Sequence, residues 1–245
     1  MIAVKLGGSV VTDKRRECCY RADVAQRLAH ELAAADEPVM VVHGAGSYGH
    51  PQAERYGLQQ GGGPDVLEGV AVTHAAVRDL NLRLLTAMHQ AGIAAVSLPP
   101  FPSLDEGFTE RMRQAVTAGL TPVTFGDVLI EPEVAIVSGD VLMQRLSAGL
   151  SAHRAIFVTN VDGILRNPKR PETVIARCTP DELSGAAFDD VDGADVTAGM
   201  AGKVKAIKEM AYSGIDVAVI NGGKAGRLRQ ALQGDVHGTM VSIHE

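Results

Sequence analysis

The sequence predicts an α/β protein with an open, mostly parallel central sheet sandwiched by helices. The first indication is three short apolar runs, each followed by a cluster of small residues, at residues 2–6, 39–43 and 217–221. Such runs are typical of strands that are buried on both faces of a parallel sheet. The second indication is the helical spacing of apolar residues between the runs, as at Val24, Leu28 and Leu32. Alternating strands and helices favour parallel strands joined by crossover helices.

The remaining elements follow from the same two patterns, taken in chain order. The predicted strands are residues 2–6, 39–43, 93–98, 122–125, 135–137, 155–159, 216–220 and 239–243. The predicted helices are residues 23–35, 70–90, a segment over 114–118 that ends at Gly119, then 141–150 and 203–211. Residues 105–110 and 167–172 are expected to form surface loops. A boundary near residues 135–139 divides the single domain, residues 1–245, into two lobes that share one sheet, about 1–137 and about 138–245.

Composition and charge exclude several classes of function. The chain has 245 residues, with 23 Lys and Arg against 29 Asp and Glu, a net charge of −6, and 4% aromatic residues without Trp. An acidic chain with few stacking side chains is a poor ligand for nucleic acids or anionic membranes. No apolar run approaches the ~18 residues of a membrane span, and no basic region precedes the apolar start. We therefore expect a cytoplasmic protein without a signal peptide, and the three cysteines lack metal-ligand spacing.

A first glycine loop, Lys5-Leu6-Gly7-Gly8-Ser9, leaves the first predicted strand. Two glycines allow backbone amides to approach an anion closely, and Lys5 adds a positive charge. The loop lacks the spacing of a Walker A motif. A tight turn between a strand and a helix would explain the same glycines, so the loop alone leaves both interpretations open.

A second glycine loop, residues 43–50 with the sequence HGAGSYGH, follows the second predicted strand. Gly44, Gly46 and Gly49 formally match the GxGxxG dinucleotide motif. That motif expects an acidic residue at the end of the next strand, and none lies there. What remains is an amide-rich loop that opens a helix, which is again an anion site. His50 falls about one turn into that helix, and we favour a functional role for it over a structural one.

Four other polar residues stand where ligands of such sheets bind. Asp140 opens a predicted helix, where it could also be an N-cap, and Asp162 lies in an Asp-Gly turn after a strand. Lys203 is expected in the first turn of its helix, where a cation is unfavourable for the helix dipole and hints at a bound anion. Lys14 precedes two arginines, and a surface basic patch is the alternative. The other histidines, among them His74, are interpreted as surface or structural.

Taken in order, these motifs resemble the amino acid kinase superfamily and, within it, the isopentenyl phosphate kinases. The segments that carry the resemblance are MIAVKLGGSVVTDK at 1–14, HGAGSYGH at 43–50, PVTFGD at 122–127, SGD at 138–140, NVDG at 160–163, GMAGK at 199–203 and GTMV at 238–241. Their order along nearly the whole chain makes the resemblance specific. His50 and Lys14 favour the isopentenyl phosphate kinases over the acetylglutamate, carbamate, aspartate and uridylate kinases.

The resemblance implies a role for each matching position. ATP would be bound by Lys5, Leu6, Gly7, Gly8, Ser9, Gly46, Asp162, Gly199 and Lys203. Isopentenyl phosphate would be bound by Ala45, His50 and Gly139. Lys14 would stabilise the transition state, His50 would hold the acceptor phosphate, and Asp140 would orient the catalytic lysines Lys5 and Lys203.

The resemblance also implies the reaction, the cofactors and the assembly. The γ-phosphoryl group of ATP, with Mg²⁺, would be transferred to isopentenyl phosphate to give isopentenyl diphosphate. The chemistry of the acceptor itself adds that no general base is needed, since a phosphate monoester is already ionised at neutral pH. The lobe of residues 1–137 would bind the acceptor, the lobe of residues 138–245 would bind the nucleotide, and the chain would form a homodimer. The prenyl tail would enter a cleft between the helix after His50 and the helix 70–90, lined by Tyr56 and Val72.

Three alternatives stay open from the sequence. One is another kinase of the superfamily that acts on a phosphonate or a carboxylate, as a fosfomycin kinase does. The second is a nucleotide-binding regulator without activity, which the presence of all the required lysines disfavours. The third is an NAD-dependent oxidoreductase, which the match to GxGxxG keeps open.

Overall fold

The computed structural model describes residues 1–167, 170, 172–184 and 196–243. Its strands are β1 (Ile2–Leu6), β2 (Val39–His43), β3 (Ala95–Ser97), β4 (Thr121–Phe125), β5 (Asp127–Leu129), β6 (Ala135–Val137), β7 (Arg154–Thr159), β8 (Arg177–Cys178), β9 (Asp216–Asn221) and β10 (Gly238–Val241). Its helices are α1 (Gly8–Val11), α2 (Ala22–Leu32), α3 (Gly46–Arg55), α4 (Val66–Gln90), α5 (Glu106–Thr117), α6 (Gly139–Gly149), α7 (Val196–Tyr212) and α8 (Arg227–Leu232).

Eight strands form one continuous sheet, in the order β3-β4-β2-β1-β7-β9-β10-β8. All neighbours pair in parallel except β9 and β10, which are antiparallel. A separate antiparallel pair joins β5 to β6. The predicted α/β class with a mostly parallel sheet is therefore confirmed. Since β1 lies between β2 and β7, the glycine loops after these strands reach the same edge of the sheet.

Two apolar layers cover the faces of the sheet, and the strand β1 contributes to both. Ile2, Val4 and Leu6 belong to the layer that also contains residues of α2, α4 and α8. Ala3 belongs to the opposite layer, with residues of α5, α6 and α7. Side chains alternate between the faces of a strand, so Lys5 points to the same face as Ala3. This alternation directs the Lys5 side chain towards α6 and α7.

The helix α5 corrects one prediction. Residues 105–110 are not a surface loop, because the helix begins at Glu106. Phe108 and Met112, four residues apart, are both buried and fasten it to the core. The charged residues around this apolar pair concealed the helical pattern.

Other differences concern the ends of elements and the shortest ones. The helix α4 begins at Val66, one turn before the predicted start, and α7 begins at Val196 instead of Lys203. The sequence analysis did not predict α1, α8, β5 or β8, which are too short to show a period. Of the predicted loop 167–172, residues 168, 169 and 171 lie outside the described part of the chain. Among the residues that the structure describes, no helix is long and apolar enough to cross a membrane.

Candidate active site

Two lysines from distant parts of the chain meet one aspartate beside the carboxyl end of β1. Lys5 lies in β1, Asp140 in the first turn of α6, and Lys203 in α7. The Lys5 ammonium forms an ion pair with Asp140 Oδ1, and Lys203 Nζ lies 3.1 Å from the same oxygen. The structure therefore brings three of the predicted catalytic residues together, on the face of the sheet that the alternation in β1 selects.

The ring of Phe157 supports both ammonium groups. Phe157 is the neighbour of Lys5 in the parallel pairing of β7 with β1. The ring centroid lies 5.7 Å from Lys5 Nζ and 5.6 Å from Lys203 Nζ. Since the face of an aromatic ring attracts cations, Phe157 and Asp140 together stabilise two like charges side by side. Such a pair of cations is suited to bind an anion with several charges.

Burial determines the protonation of this cluster. Burial, followed by the charge of Lys203, lowers the pKa of Lys5 from 10.5 to about 7, against the opposing effect of Asp140. Burial alone would raise the pKa of Asp140, but the charges of Lys5 and Lys203 outweigh it and lower that pKa below 3.8. Asp140 is therefore a carboxylate at neutral pH, suited to orient the lysines and not to donate a proton.

We expect kcat/KM for ATP to fall as the pH rises through about 7. Lys5 is charged below its lowered pKa and neutral above it, and an anionic ligand binds the charged form more tightly. The ratio kcat/KM reports the pKa of Lys5 in the free enzyme, whereas kcat reports its pKa in the complex with substrate. Because bound phosphates raise the pKa of Lys5, kcat should begin to fall at a higher pH than kcat/KM does. Rate profiles between about pH 6 and about pH 9 measure both limbs. A kcat/KM for ATP that stays constant over this range would contradict the assignment of Lys5.

The structure corrects the local explanations that the sequence offered for Asp140 and Lys203. The N-cap of α6 is Ser138, whose hydroxyl accepts a hydrogen bond from the amide of Val141 at 3.2 Å. Asp140 is therefore not the cap. Because α7 begins at Val196, Lys203 lies about two turns inside it, and the argument from the helix dipole was wrong.

The two glycine loops touch each other through their backbones. A Cβ on Gly8 would collide with the amide nitrogen of Gly46, and a Cβ on Gly44 would lie 2.7 Å from the nitrogen of Gly8. Gly46 has a φ of +52°, in the left-handed region that favours glycine. Thr12 links the loops, since its hydroxyl donates to the Gly8 carbonyl at 2.7 Å and accepts from the Ser47 amide at 3.0 Å. The glycines thus allow the N-termini of α1 and α3 to lie side by side.

The other predicted loop residues flank this contact. The Leu6 carbonyl accepts a hydrogen bond from the Gly44 amide of the second loop at 2.9 Å. The Gly7 amide donates to the Val158 carbonyl, also at 2.9 Å. Ser9 in α1 and Ala45 before α3 are both half-buried. These residues therefore lie on or beside the two loops that touch, and their contacts with a phosphate stay predictions.

Lys14 and His50 lie outside the Lys5–Asp140–Lys203 cluster, on segments that flank the glycine contact. Lys14 is exposed on the loop after α1, and His50 is exposed on α3, one turn after Gly46. The loop with Lys14 is fastened to α3, because the Cys18 amide donates to the Ser47 carbonyl at 2.9 Å. The structure brings these two segments together, and the catalytic roles of both residues stay predictions.

Asp162 and Gly199 are the remaining predicted residues on the nucleotide side. Asp162, after β7, lies 2.7 Å from Lys224 Nζ and accepts a hydrogen bond from the Asn221 side chain at 3.0 Å. The hydrogen bond from Lys224 has the larger effect on the pKa of Asp162, the one from Asn221 adds to it, and together they lower that pKa. Gly199 falls in α7, in the stretch 196–201 whose side-chain surroundings lie outside the described part of the chain. A role of either residue in ATP binding stays a prediction.

The structure adds a pair that the sequence analysis missed. Asp127 is 2% exposed, and its Oδ2 lies 2.7 Å from Nδ1 of His74. Burial raises the pKa of Asp127, and the hydrogen bond to His74 opposes that rise. The preceding Gly126 donates to the His43 carbonyl, and a Cβ on Gly126 would lie 3.1 Å from the nitrogen of Gly139. The pair of His74 and Asp127 thus fastens α4 to β5, next to the contact between Gly126 and Gly139. The only sequence signal for this pair is the PVTFGD motif, which contains Asp127.

Gly139, which the family resemblance assigns to the acceptor, lies directly against the lysine cluster. A Cβ on Gly139 would lie 3.1 Å from Lys5 Cε and 3.3 Å from the His43 carbonyl oxygen. A side chain there would therefore press on Lys5, and the glycine keeps the approach to its ammonium open. The first turn of α6 thus supplies both the carboxylate of the cluster and the space beside it.

Comparisons with known proteins agree with this arrangement. The model of the amino acid kinase family matches residues 1–221. The isopentenyl phosphate kinase of Methanothermobacter thermautotrophicus is 33% identical over 99% of this chain and 99% of its own length. The isopentenyl phosphate kinase of Thermoplasma acidophilum is 33% identical over 98% of this chain and 100% of its own length.

A solved structure gives the same result. The crystal structure of the T. acidophilum isopentenyl phosphate kinase product complex matches with a TM-score of 0.83 at 29% identity, over 98% of this chain and 99% of that chain. The family model covers most of the sequence, and the relatives match it from end to end. The chain therefore belongs to the amino acid kinase family, in the group of the isopentenyl phosphate kinases.

Proposed function

We propose that this protein transfers the γ-phosphoryl group of ATP to isopentenyl phosphate, giving isopentenyl diphosphate and ADP. The observation that carries the proposal is the convergence of Lys5 and Lys203 on Asp140, at the edge where the two glycine loops touch. The names of the whole-length relatives support the choice of substrate. ATP is the phosphoryl donor that we assign, with the lobe of residues 138–245 for the nucleotide and that of residues 1–137 for the acceptor.

The acceptor needs no general base in this reaction. The second pKa of a phosphate monoester is near ~6, so the attacking oxygen is already ionised at neutral pH. Asp140, whose pKa is lowered, is held by two lysines and is poorly placed to accept a proton. Catalysis then consists of positioning and of stabilising charge, as in other phosphoryl transfers.

Repulsion between the two substrates is the main obstacle that the protein must overcome. At an effective dielectric constant of ~20, two like unit charges ~5 Å apart repel each other by roughly 3 kcal/mol. Several such pairs form when a triphosphate meets a phosphate monoester. We assign Lys5, Lys14 and Lys203, with the backbone amides of the two glycine loops, to offset this repulsion. His50 then donates a hydrogen bond to the acceptor phosphate and does not act as a base.

We propose that Mg²⁺ accompanies ATP and is held mostly by phosphate oxygens and water. Within the described residues, no group of three or more His, Cys, Asp or Glu side chains could enclose a metal ion. Coordination by phosphate oxygens and water is common for Mg²⁺, which usually keeps several water ligands and binds through substrate phosphates. When bound, the ion neutralises part of the charge on the β- and γ-phosphates.

The prenyl tail needs an apolar surface beside His50. A small apolar cluster lies between α3, α4 and β5, apart from the two main layers; it consists of Ala53, Leu58, Val70 and Val128, with Tyr56, Val66, Phe101 and Val134 packed against it. Ala53 lies on α3 one turn after His50, hence on the same side of the helix. We propose that the tail packs against this cluster. Tyr56 belongs to it, and the contact of Val72 with the tail stays a prediction.

The test of the function is ADP release measured over a panel of acceptors. The panel is isopentenyl phosphate, dimethylallyl phosphate, fosfomycin and acetylglutamate, each with ATP and Mg²⁺. We expect isopentenyl phosphate to give a kcat/KM at least about tenfold above that for fosfomycin and acetylglutamate, because only prenyl phosphates offer both an ionised monoester and an apolar tail. Dimethylallyl phosphate, with the same number of carbons, should come second.

Each other outcome assigns the protein differently. A preference for fosfomycin or acetylglutamate would overturn the assignment of the acceptor while keeping the kinase chemistry. ATP binding without turnover on any acceptor would contradict the proposed activity as a whole. The homodimer that the family resemblance implies stays a prediction, which light scattering on the purified protein tests separately.

A further inference from the structure

A third glycine loop, Gly222-Gly223-Lys224, follows β9 at the same edge of the sheet. The Gly222 amide donates to the Thr159 carbonyl at 2.8 Å. A Cβ on Gly222 would lie 2.8 Å from Cγ1 of Val10 in α1 and would also collide with Val158. The loop therefore packs against the first glycine loop and its short helix. Neither the ATP site nor the acceptor site, as assigned above, uses its lysine.

The ammonium of Lys224 pairs with Asp162, and this ion pair is weak enough to give way to a bound anion. Its Nζ lies 2.7 Å from Oδ1 of Asp162, with the lysine side chain 50% and the aspartate side chain 39% exposed. An ion pair in contact with water contributes little, typically at most about 1 kcal/mol. A nucleotide polyphosphate carries several negative charges where Asp162 carries one. The polyphosphate can therefore displace the carboxylate from Lys224 at small cost.

The backbone of this loop is fixed even though its lysine is exposed. Glu31 in α2 is 4% exposed and accepts hydrogen bonds from the amides of Gly226 at 2.9 Å and Leu228 at 3.0 Å. Arg27 forms an ion pair with Glu31 at 2.7 Å and also donates to the Gly222 carbonyl. The loop is thus held from both ends by the ion pair between the partly exposed Arg27 and the buried Glu31. Because the backbone is already fixed, binding an anion orders only the Lys224 side chain and costs little further conformational entropy.

We propose that Lys224 is a further nucleotide-binding residue, which leaves Asp162 and binds the polyphosphate of the nucleotide. The inference rests on the proposed nucleotide site and deepens it. Asn221 keeps its hydrogen bond to Asp162 and retains the carboxylate in place when Lys224 leaves. The ligand class is a nucleoside di- or triphosphate, because several phosphate charges are needed to outcompete the single charge of Asp162 for Lys224.

Direct binding of ATP, ADP and AMP in the presence of Mg²⁺ tests the inference without any acceptor. We compare the unsubstituted protein with Lys224→Gln, with the conservative Lys224→Arg, and with the control Lys205→Gln. Lys205 is an exposed lysine of α7 outside the assigned sites, so its loss changes the net charge equally. Lys224→Gln should weaken ATP and ADP about tenfold and AMP less than about twofold, since a hydrogen bond to a charged group is worth about that much. Lys224→Arg should retain most of the affinity.

Several results would overturn the inference. They are an equal loss for all three nucleotides, a loss no larger than that of Lys205→Gln, or unchanged affinities with a lower melting temperature. The last result would make the pair of Lys224 and Asp162 purely structural. If the unsubstituted protein does not bind ATP, the proposed function fails together with this inference. If only the Lys224 variants behave differently from expectation, the inference fails alone.

Discussion

Replacing Lys203 with Met is expected to lower kcat by a factor of about 10² or more, because single preorganised charge contacts in a transition state are typically worth that much. Lys203 Nζ lies 3.1 Å from Asp140 and 5.6 Å from the centre of the Phe157 ring, so its ammonium is held before any substrate arrives. Methionine is also unbranched and only slightly shorter than lysine, and it lacks both the charge and the hydrogen-bond donors of the ammonium group.

We expect Lys14→Met to have an effect of the same order, since the same transition state needs that cation.

The control for Lys203→Met is Lys205→Met on the same helix, which removes an exposed lysine and should leave kcat unchanged. Steady-state kinetics with ATP and isopentenyl phosphate, together with a thermal melt of each variant, separate the two explanations. Were the Lys203 variant to lose thermal stability but keep its kcat, the lysine would be structural.

The second large effect concerns His50. We expect His50→Ala to abolish binding of isopentenyl phosphate, and with it turnover, while the affinity for ATP persists. His50 is exposed on α3, one turn after the glycine contact, and the apolar cluster that we assign to the prenyl tail begins one turn later at Ala53. A side chain at this position can hold the phosphate while the tail lies along the same helix.

Isothermal titration with each substrate measures this separation. His50→Gln keeps a hydrogen-bond donor and should retain part of the affinity for the acceptor. His30→Ala on α2 removes another exposed histidine and should change neither affinity. Unchanged turnover in His50→Ala would show that another group holds the acceptor phosphate.

Most of the sheet could be predicted from the sequence, because its strands are continuous apolar runs. The runs that became β1, β2 and β9 are buried along nearly their whole length, and each ends at a glycine loop. The sequence predicts only the end of the helix α5, over 114–118, because Phe108 and Met112 alone mark the buried side of its first part. Local patterns identify elements with a long apolar period, and they miss elements that depend on two or three contacts.

The candidate site shows the same division between local and distant information. The glycines of the first two loops are visible because their spacing is local. The pairing of Lys5 with Asp140 joins residues 135 positions apart, and only the crossover of the chain brings them to one face. The sequence also suggested the wrong local explanation for Lys203, since a helix that begins at Val196 leaves no lysine in its first turn. Lys224 drew no assignment, because its partner Asp162 lies far from it in the sequence and only the fold brings the two together.

The most direct test of the central claim is a crystal structure with a non-hydrolysable ATP analogue and isopentenyl phosphate bound together. We predict that the γ-phosphate lies within hydrogen-bonding distance of the Lys5 and Lys203 ammonium groups and of the amides of the first glycine loop. We predict that the acceptor phosphate lies opposite it, in contact with His50. A structure in which either phosphate binds away from the junction of the two glycine loops would contradict the account.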